Sequence, residues 1–249
     1  MISWIIVFII SSYYLYLKFY CSENEEINKK KIMISIEGNI GVGKTTLMDM
    51  LKEKLHEEAE FIYEPIQEWQ QIKDNNGKDI LQTYYDDIPR WSYTFQNIAY
   101  ITRLKRIVKT IKNSNKKYII LDRSLLADLN TFAKMLHENG NMNAIEWNAY
   151  NQWNQYFENN YGDDVTHQII YLRSEPDIAF MRIQMRNREA EKNIAFEYIK
   201  LLHDYHEKWL MNNKKDNNIL MIDANRDFVK GKIRFNEIYN KILQFTQIK

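Results

Sequence analysis

The chain has 249 residues, with 34 Lys and Arg against 33 Asp and Glu, a formal net charge of +1. That length suits one α/β domain with a substantial core and is short for two. The near-neutral balance excludes the broad electrostatic footprint of a nucleic-acid binder and points to a small ligand, and the single cysteine, Cys21, excludes an internal disulfide framework and fits a reducing compartment.

Met1 to Leu17 is almost wholly apolar or aromatic, followed by Lys18, Cys21 and an acidic stretch to Glu26. It stands near the lower end of the roughly 17–25 residues that span a bilayer. It lacks the basic start and small-residue cleavage site of a signal peptide, and the arginines of a mitochondrial transit peptide. Three readings stay open: a membrane tether through residues 1–20, a cleaved targeting segment, or an extension ahead of a start at Met33. Residues 1–31 are set apart from one domain expected over 32–249, in the cytoplasm or on its membrane face rather than in mitochondria.

From Lys31 the pattern alternates strand and helix, the mark of a parallel sheet with helices on its faces. Ile32–Glu37 is a short apolar run ending at a glycine loop, and a helix is expected from Lys44 to about His56. Further runs at Glu60–Glu64, Tyr118–Asp122, His167–Leu172 and Asn218–Asp223 have the apolar character of buried parallel strands. Helical segments are expected at 90–113, 124–138, 143–160, 175–188, 194–212 and 229–246, with the Trp and Tyr residues of 143–160 in the core. The expected fold class is α/β: a doubly wound sheet of five parallel strands with helices on both faces.

Gly38-Asn39-Ile40-Gly41-Val42-Gly43-Lys44-Thr45, followed by Thr46, matches the Walker A pattern directly after a strand and at the start of a helix. Glycines let backbone N–H groups converge on phosphate oxygens at a helix N-terminus. Lys44 supplies a charge for the β- and γ-phosphates and Thr45 a hydroxyl for Mg²⁺. The expected cofactors are therefore ATP (or another NTP) as phosphate donor, and Mg²⁺. This makes the fold a P-loop NTPase type and leaves the acceptor open.

On the acceptor side, Glu64 closes the second expected strand, where a carboxylate can take the proton of an attacking hydroxyl, and an ordinary strand-end carboxylate is the plain alternative. Asp122 and Arg123 end the third: the acid can serve Mg²⁺ or its water, the base can sit where negative charge develops, and a structural Asp–Arg pair is the alternative. Gln96 and Arg103 share one helical face, with heads able to read a nucleobase edge, and an exposed amide and a solvated base are the plain alternative. Arg182, Arg186 and Arg188, with Glu191 after them, fit an arginine-rich lid over a triphosphate, or a basic helix end. His203 and His206 lack a third ligand at metal spacing and are read as surface packing.

Together these segments resemble the deoxyribonucleoside kinase family, in order from Ile32 almost to the C-terminus. Ile36-Glu37-Gly38-Asn39-Ile40 is similar to its P-loop entrance, Glu64-Pro65 with Trp69 to the loop holding its base, and Arg90-Trp91-Ser92-Tyr93-Thr94-Phe95-Gln96 to the stretch presenting its base-reading glutamine. Phe196-Glu197-Tyr198, with His203 and Trp209, resembles the helix after its lid.

The resemblance implies a role for each matching position. Glu64 becomes the general base for the 5′-hydroxyl and Arg123 the bridge between that oxygen and the phosphate. Gln96 bonds the base edge between Trp69, Phe95 and Phe132. Tyr85 and Glu191 hold the sugar 3′-hydroxyl, Arg182, Arg186 and Arg188 form the lid, and Asp227 with Phe228 lies near the donor adenine. Arg103 and Asp128 imply deoxycytidine and purine deoxynucleosides over thymidine. A homodimer is implied as well, with a small-molecule deoxynucleoside and no nucleic acid as partner. The chain departs at Asp122, where animal relatives carry glutamate; at Tyr84, in place of a methionine near the base; and at Leu129, in place of a basic residue. Two other readings are a thymidylate kinase, whose phosphorylated substrate the Glu64 carboxylate repels, and a non-catalytic scaffold, which has no use for so many charges in one cleft.

Overall fold

The computed structural model describes residues 30–212, 218–228 and 232–248. Five strands, β1 (Lys31–Glu37), β2 (Ala59–Ile62), β3 (Tyr118–Asp122), β4 (Val165–Arg173) and β5 (Ile219–Asp223), form a parallel sheet in the order β2-β3-β1-β4-β5. Alternate strand residues enter opposite cores, so both faces must be apolar. Met33, Ile119 and Leu121 pack on one side with α4 (Ile88–Asn113) and α7 (Ala144–Tyr161). Ile34, Ile36 and Ile120 pack on the other with α1 (Lys44–Leu55), α8 (Pro176–Arg186) and α10 (Lys232–Thr246).

Local chemistry sets the helix ends. Asp87 accepts from the Arg90 N–H at 3.2 Å and Pro89 sits in the first turn, so α4 starts before residue 90. Asn143 and Glu146 form a reciprocal capping box at α7.

Several expectations need correction. β2 ends at Ile62, so Glu64 lies beyond the strand rather than closing it. Pro65 restricts Glu64 and has no N–H for the ladder. Two helices were unforeseen, α2 (Ile66–Gln71) and α3 (Ile80–Asp86). The helix expected over 124–138 is α5 (Leu125–Ala127), a π-helical turn (Asp128–Ala133) and α6 (Lys134–Glu138). The one expected over 194–212 is α9 (Phe196–His206) running into a second π-turn (Glu207–Met211).

On α7, Tyr150 and Phe157 are core but Trp153 and Tyr156 are 37% and 49% exposed, so only one face of the aromatic pattern is buried. His203 and His206 are buried rather than on the surface, His206 stacking on Tyr171 with its ring held by a bond from Nδ1 to the Leu202 carbonyl. The tether expected over residues 1–20 lies outside the described residues. Among the described residues no helix is long and apolar enough to cross a membrane.

Candidate active site

The C-terminal ends of β1, β2 and β3 face a cavity of about 610 Å³, the place where open parallel sheets take ligands. At one end lies the Walker A loop. Gly38 has φ 140°, and a Cβ there would lie 2.4 Å from the Leu172 carbonyl oxygen; Gly41, at φ 84°, would meet the Ala179 carbonyl at the same distance. The tight wrap therefore requires glycine at both. The loop runs into α1, whose first turn carries no acidic residue, leaving its positive end for an anion.

Ile40 to Thr46 line the cavity, whereas Gly38 and Asn39 do not. Those two act from behind: their carbonyls accept from Lys44 Nζ at 3.2 and 2.8 Å, and Asn39 Nδ2 donates to the Ile199 carbonyl at 2.7 Å. Burial pushes Lys44 down to about 7, with Arg123 and Arg186 adding to the shift and Asp122 and Glu64 opposing it. Polyphosphate oxygens would restore its charge.

Arg123 follows β3 with a left-handed φ of 68°. Its Nη1 donates to the Gly38 carbonyl at 2.7 Å, its Nε lies 3.5 Å from Glu64 Oε1, and its guanidinium stacks 4.7 Å over the Phe132 ring. Burial tends to raise Glu64, but the charges of Arg123, Arg103, Lys44 and Arg188 outweigh it and hold the carboxyl below the ordinary glutamate value. Glu64 is thus ionised and purely an acceptor.

Gln96 and Arg103, on one face of α4, are both buried against the cavity. Arg103 bonds Asp128 through Nη1 and Glu64 through Nη2, the latter at 3.0 Å. Gln96 Oε1 is buried with no hydrogen-bond partner among the described residues. Burial pushes Asp128 up to about 6 despite the Arg103 attraction, because desolvating a carboxylate this fully costs more than one ion pair returns. Phe95 stacks on Tyr84 at 4.6 Å and meets Trp69 edge-on at 5.3 Å. Phe132 lines the cavity too, and Tyr85 and Glu191 lie in the same wall.

The arginines after β4 fall into two sets. Arg182 donates to the Ala224 and Asn225 carbonyls at 2.8 and 3.1 Å, beside Asp227 and Phe228. Arg186 and Arg188 both bond the Glu191 carboxylate, at 2.5 and 2.9 Å. Sequence reasoning missed Tyr198, whose hydroxyl lies 2.9 Å from that of Tyr84 in the cavity wall. Its position on the helix after the arginine-rich segment was the available signal. The Arg103–Glu64 bond had none, because nothing local links the two.

Thr45 Oγ1 donates to Asp122 Oδ2 at 2.9 Å, and Asp122 Oδ1 is buried without a partner among the described residues. Two hard oxygen donors beside a phosphate loop fit Mg²⁺, which takes one or two protein ligands and completes its shell with phosphate and water. No cluster of three His, Cys, Asp or Glu able to hold a metal occurs among the described residues.

Residues 34–247 match the family described as deoxynucleoside kinase. The chain belongs to that family. A probable deoxycytidine kinase of fowlpox virus is 37% identical over 223 residues, covering 88% of this chain and 89% of its own. Human deoxycytidine kinase is 32% identical, with 90% and 93% covered, and the mitochondrial deoxyguanosine kinase of Xenopus laevis is 32% identical, with 90% and 92% covered. A deoxynucleoside kinase carries a phosphoryl group from a nucleotide donor to a nucleoside in salvage. Its two substrates need one shared cleft, and the Walker A loop and the Gln96–Arg103 face line one cavity.

Proposed function

We propose that this kinase moves the γ-phosphoryl group of ATP to the 5′-hydroxyl of deoxycytidine, deoxyguanosine or deoxyadenosine in preference to thymidine. The observation that carries the base preference is the buried Arg103–Asp128 pair, which lines the same cavity as Gln96, whose Oε1 has no hydrogen-bond partner among the described residues. An exocyclic amine donates to such acceptors. Thymine brings a carbonyl oxygen toward the Asp128 carboxylate and a methyl group into space the pair occupies.

Glu64 orients the 5′-hydroxyl and receives its proton as the new O–P bond forms and the bond from the γ-phosphorus to the bridging oxygen breaks, releasing ADP. Arg123 meets the negative charge that develops between the attacking oxygen and the phosphoryl group. Lys44 and the loop N–H groups hold the β- and γ-phosphates, and Arg182, Arg186 and Arg188 cover them. Thr45 and Asp122 would hold Mg²⁺, which when bound neutralises phosphate charge. Trp69, Phe95 and Phe132 wall the base, Tyr85 and Glu191 hold the sugar, and Asp227 with Phe228 flanks the donor base.

The same reading takes residues 32–249 as the kinase domain and the assembly as a homodimer, for which exposed Ile145, Trp153 and Tyr156 on α7 offer an apolar face. Transfer of label from γ-labelled ATP to the four natural deoxynucleosides tests the function. Label on the 5′-position of deoxycytidine or a purine deoxynucleoside, with thymidine labelled far more slowly, is the expected result. Equal or faster labelling of thymidine overturns the base preference.

A further inference from the structure

Glu37 ends β1 and is completely buried, yet it does not line the cavity. Its Oε1 accepts the backbone N–H of Ser124 at 2.9 Å. Ser124 follows Arg123, whose φ of 68° is a conformation that a residue with a Cβ holds only where its surroundings enforce it. Three groups do so here. The Arg123 N–H donates to the Ile36 carbonyl at 3.2 Å, the Ser124 N–H to the Glu37 carboxyl, and Arg123 Nη1 to the Gly38 carbonyl.

Ile36 and Gly38 act through backbone oxygens, which any sequence supplies. Glu37 acts through a side chain, and that choice carries a penalty. Burial pushes its carboxyl up against the pull of Ser124 and the Arg123 guanidinium, and its Oε2 has no hydrogen-bond partner among the described residues. Ile34 and Ile36 on the same strand incur no such cost.

We propose that Glu37 is a positioning residue for phosphoryl transfer: it pins the Arg123–Ser124 peptide and so fixes the Arg123 guanidinium between Glu64 and the phosphate loop. This rests on the reading of Arg123 as the cation at the reacting oxygen. Without the carboxyl, the Ser124 N–H loses its acceptor, Arg123 relaxes toward negative φ, and its side chain turns away from Gly38.

The test is a double-mutant cycle in the full chain. Glu37→Met should lower kcat on the order of 10- to 100-fold while both KM values stay within about twofold, since misplacing a reacting group costs rate before binding. Glu37→Gln, whose amide oxygen accepts the same N–H, should recover to within about threefold of wild type. In an Arg123→Ala background Glu37→Met should cost nothing further, because its effect passes through Arg123. The same loss in both backgrounds, or a Glu37→Gln enzyme as impaired as Glu37→Met, overturns the proposal. If circular dichroism shows that Glu37→Met does not fold, Glu37→Asp, which withdraws the carboxyl by one methylene, replaces it in the cycle. Arg123→Ala with wild-type kcat would instead sink the reading of Arg123, so the two failures are distinct.

Discussion

Arg103 Nη2 meets Glu64 Oε1 at 3.0 Å, although the two residues stand 39 positions apart in the sequence. The same guanidinium holds Asp128 through Nη1. In the proposed mechanism the base end and the proton acceptor therefore share one cation, and a change made to alter base preference would reach the chemistry.

Arg103→Met with Asp128→Ala is expected to admit thymidine, by opening apolar room and removing both charges together. Because Glu64 also loses the hydrogen bond that orients its carboxylate, kcat should fall for every nucleoside, by roughly 3- to 30-fold. The single changes are unequal. Asp128→Ala leaves Arg103 paired with Glu64, whereas Arg103→Met strands Asp128, and breaking a buried pair in that way costs about 3–5 kcal/mol. Thermal unfolding should rank Arg103→Met the least stable of the three variants, and kcat/KM for thymidine should be highest in the double.

Glu64→Gln should bind ATP and nucleoside while losing about 10²–10⁴ in kcat, the usual contribution of a general base. A variant keeping more than about half the wild-type kcat would assign the proton elsewhere. Lys44→Ala should impair both nucleotide binding and turnover, because its charge serves ground and transition state alike. Calorimetric titration with ATP separates the two cases.

A pH profile, compared between wild type and Asp128→Asn, reads Asp128. Its pKa of about 6 means that the ionised acceptor is present above that value and is lost as pH falls through it. The kcat/KM for deoxycytidine should then fall about tenfold per pH unit below the break. Glu64, held below its ordinary value, keeps its charge there. Asp128→Asn should abolish the acid limb; a limb surviving in that variant belongs to another group.

The start of the domain is also testable. Lys31 Nζ donates to the Ser114 and Lys116 carbonyls at 2.6 and 2.9 Å, and Ile32 pairs with Tyr118 and Thr166. A chain beginning at Met33 lacks these bonds and should be less stable than one beginning at Lys30, by roughly 1–3 kcal/mol. Its kcat should be unchanged, since neither residue lines the cavity. If residues 1–20 form a tether, the full chain pellets with membranes and both shorter chains stay in the supernatant.

The sheet was legible because buried parallel strands read as apolar runs, and the phosphate loop because its glycines stand at fixed spacing before Lys44. Gln96 and Arg103 were legible as one face of a long helix. What escaped was non-local or short. The six residues of α2 hold three glutamines and too few apolar positions for a period to emerge. The end of β2 depends on Pro65 as much as on the run before it. The work of Glu37 depends on Ser124, 87 positions away, and no pattern within β1 announces it.

The π-turn over Asp128–Ala133 makes the length of this segment itself a determinant of the pocket. Hydrogen bonds there skip one residue more than in an α-helix, so the turn takes up one extra residue between α5 and α6. Delete any one residue between 128 and 133, and the segment closes into an ordinary helix. The flanking helices keep their phase, because the wide turn had absorbed the extra residue, but the side chains left within the turn are redistributed by up to about 100° around the axis, Phe132 of the cavity wall among them. Substitutions in this stretch alter the wall one side chain at a time. The loss of a single codon would rewrite it.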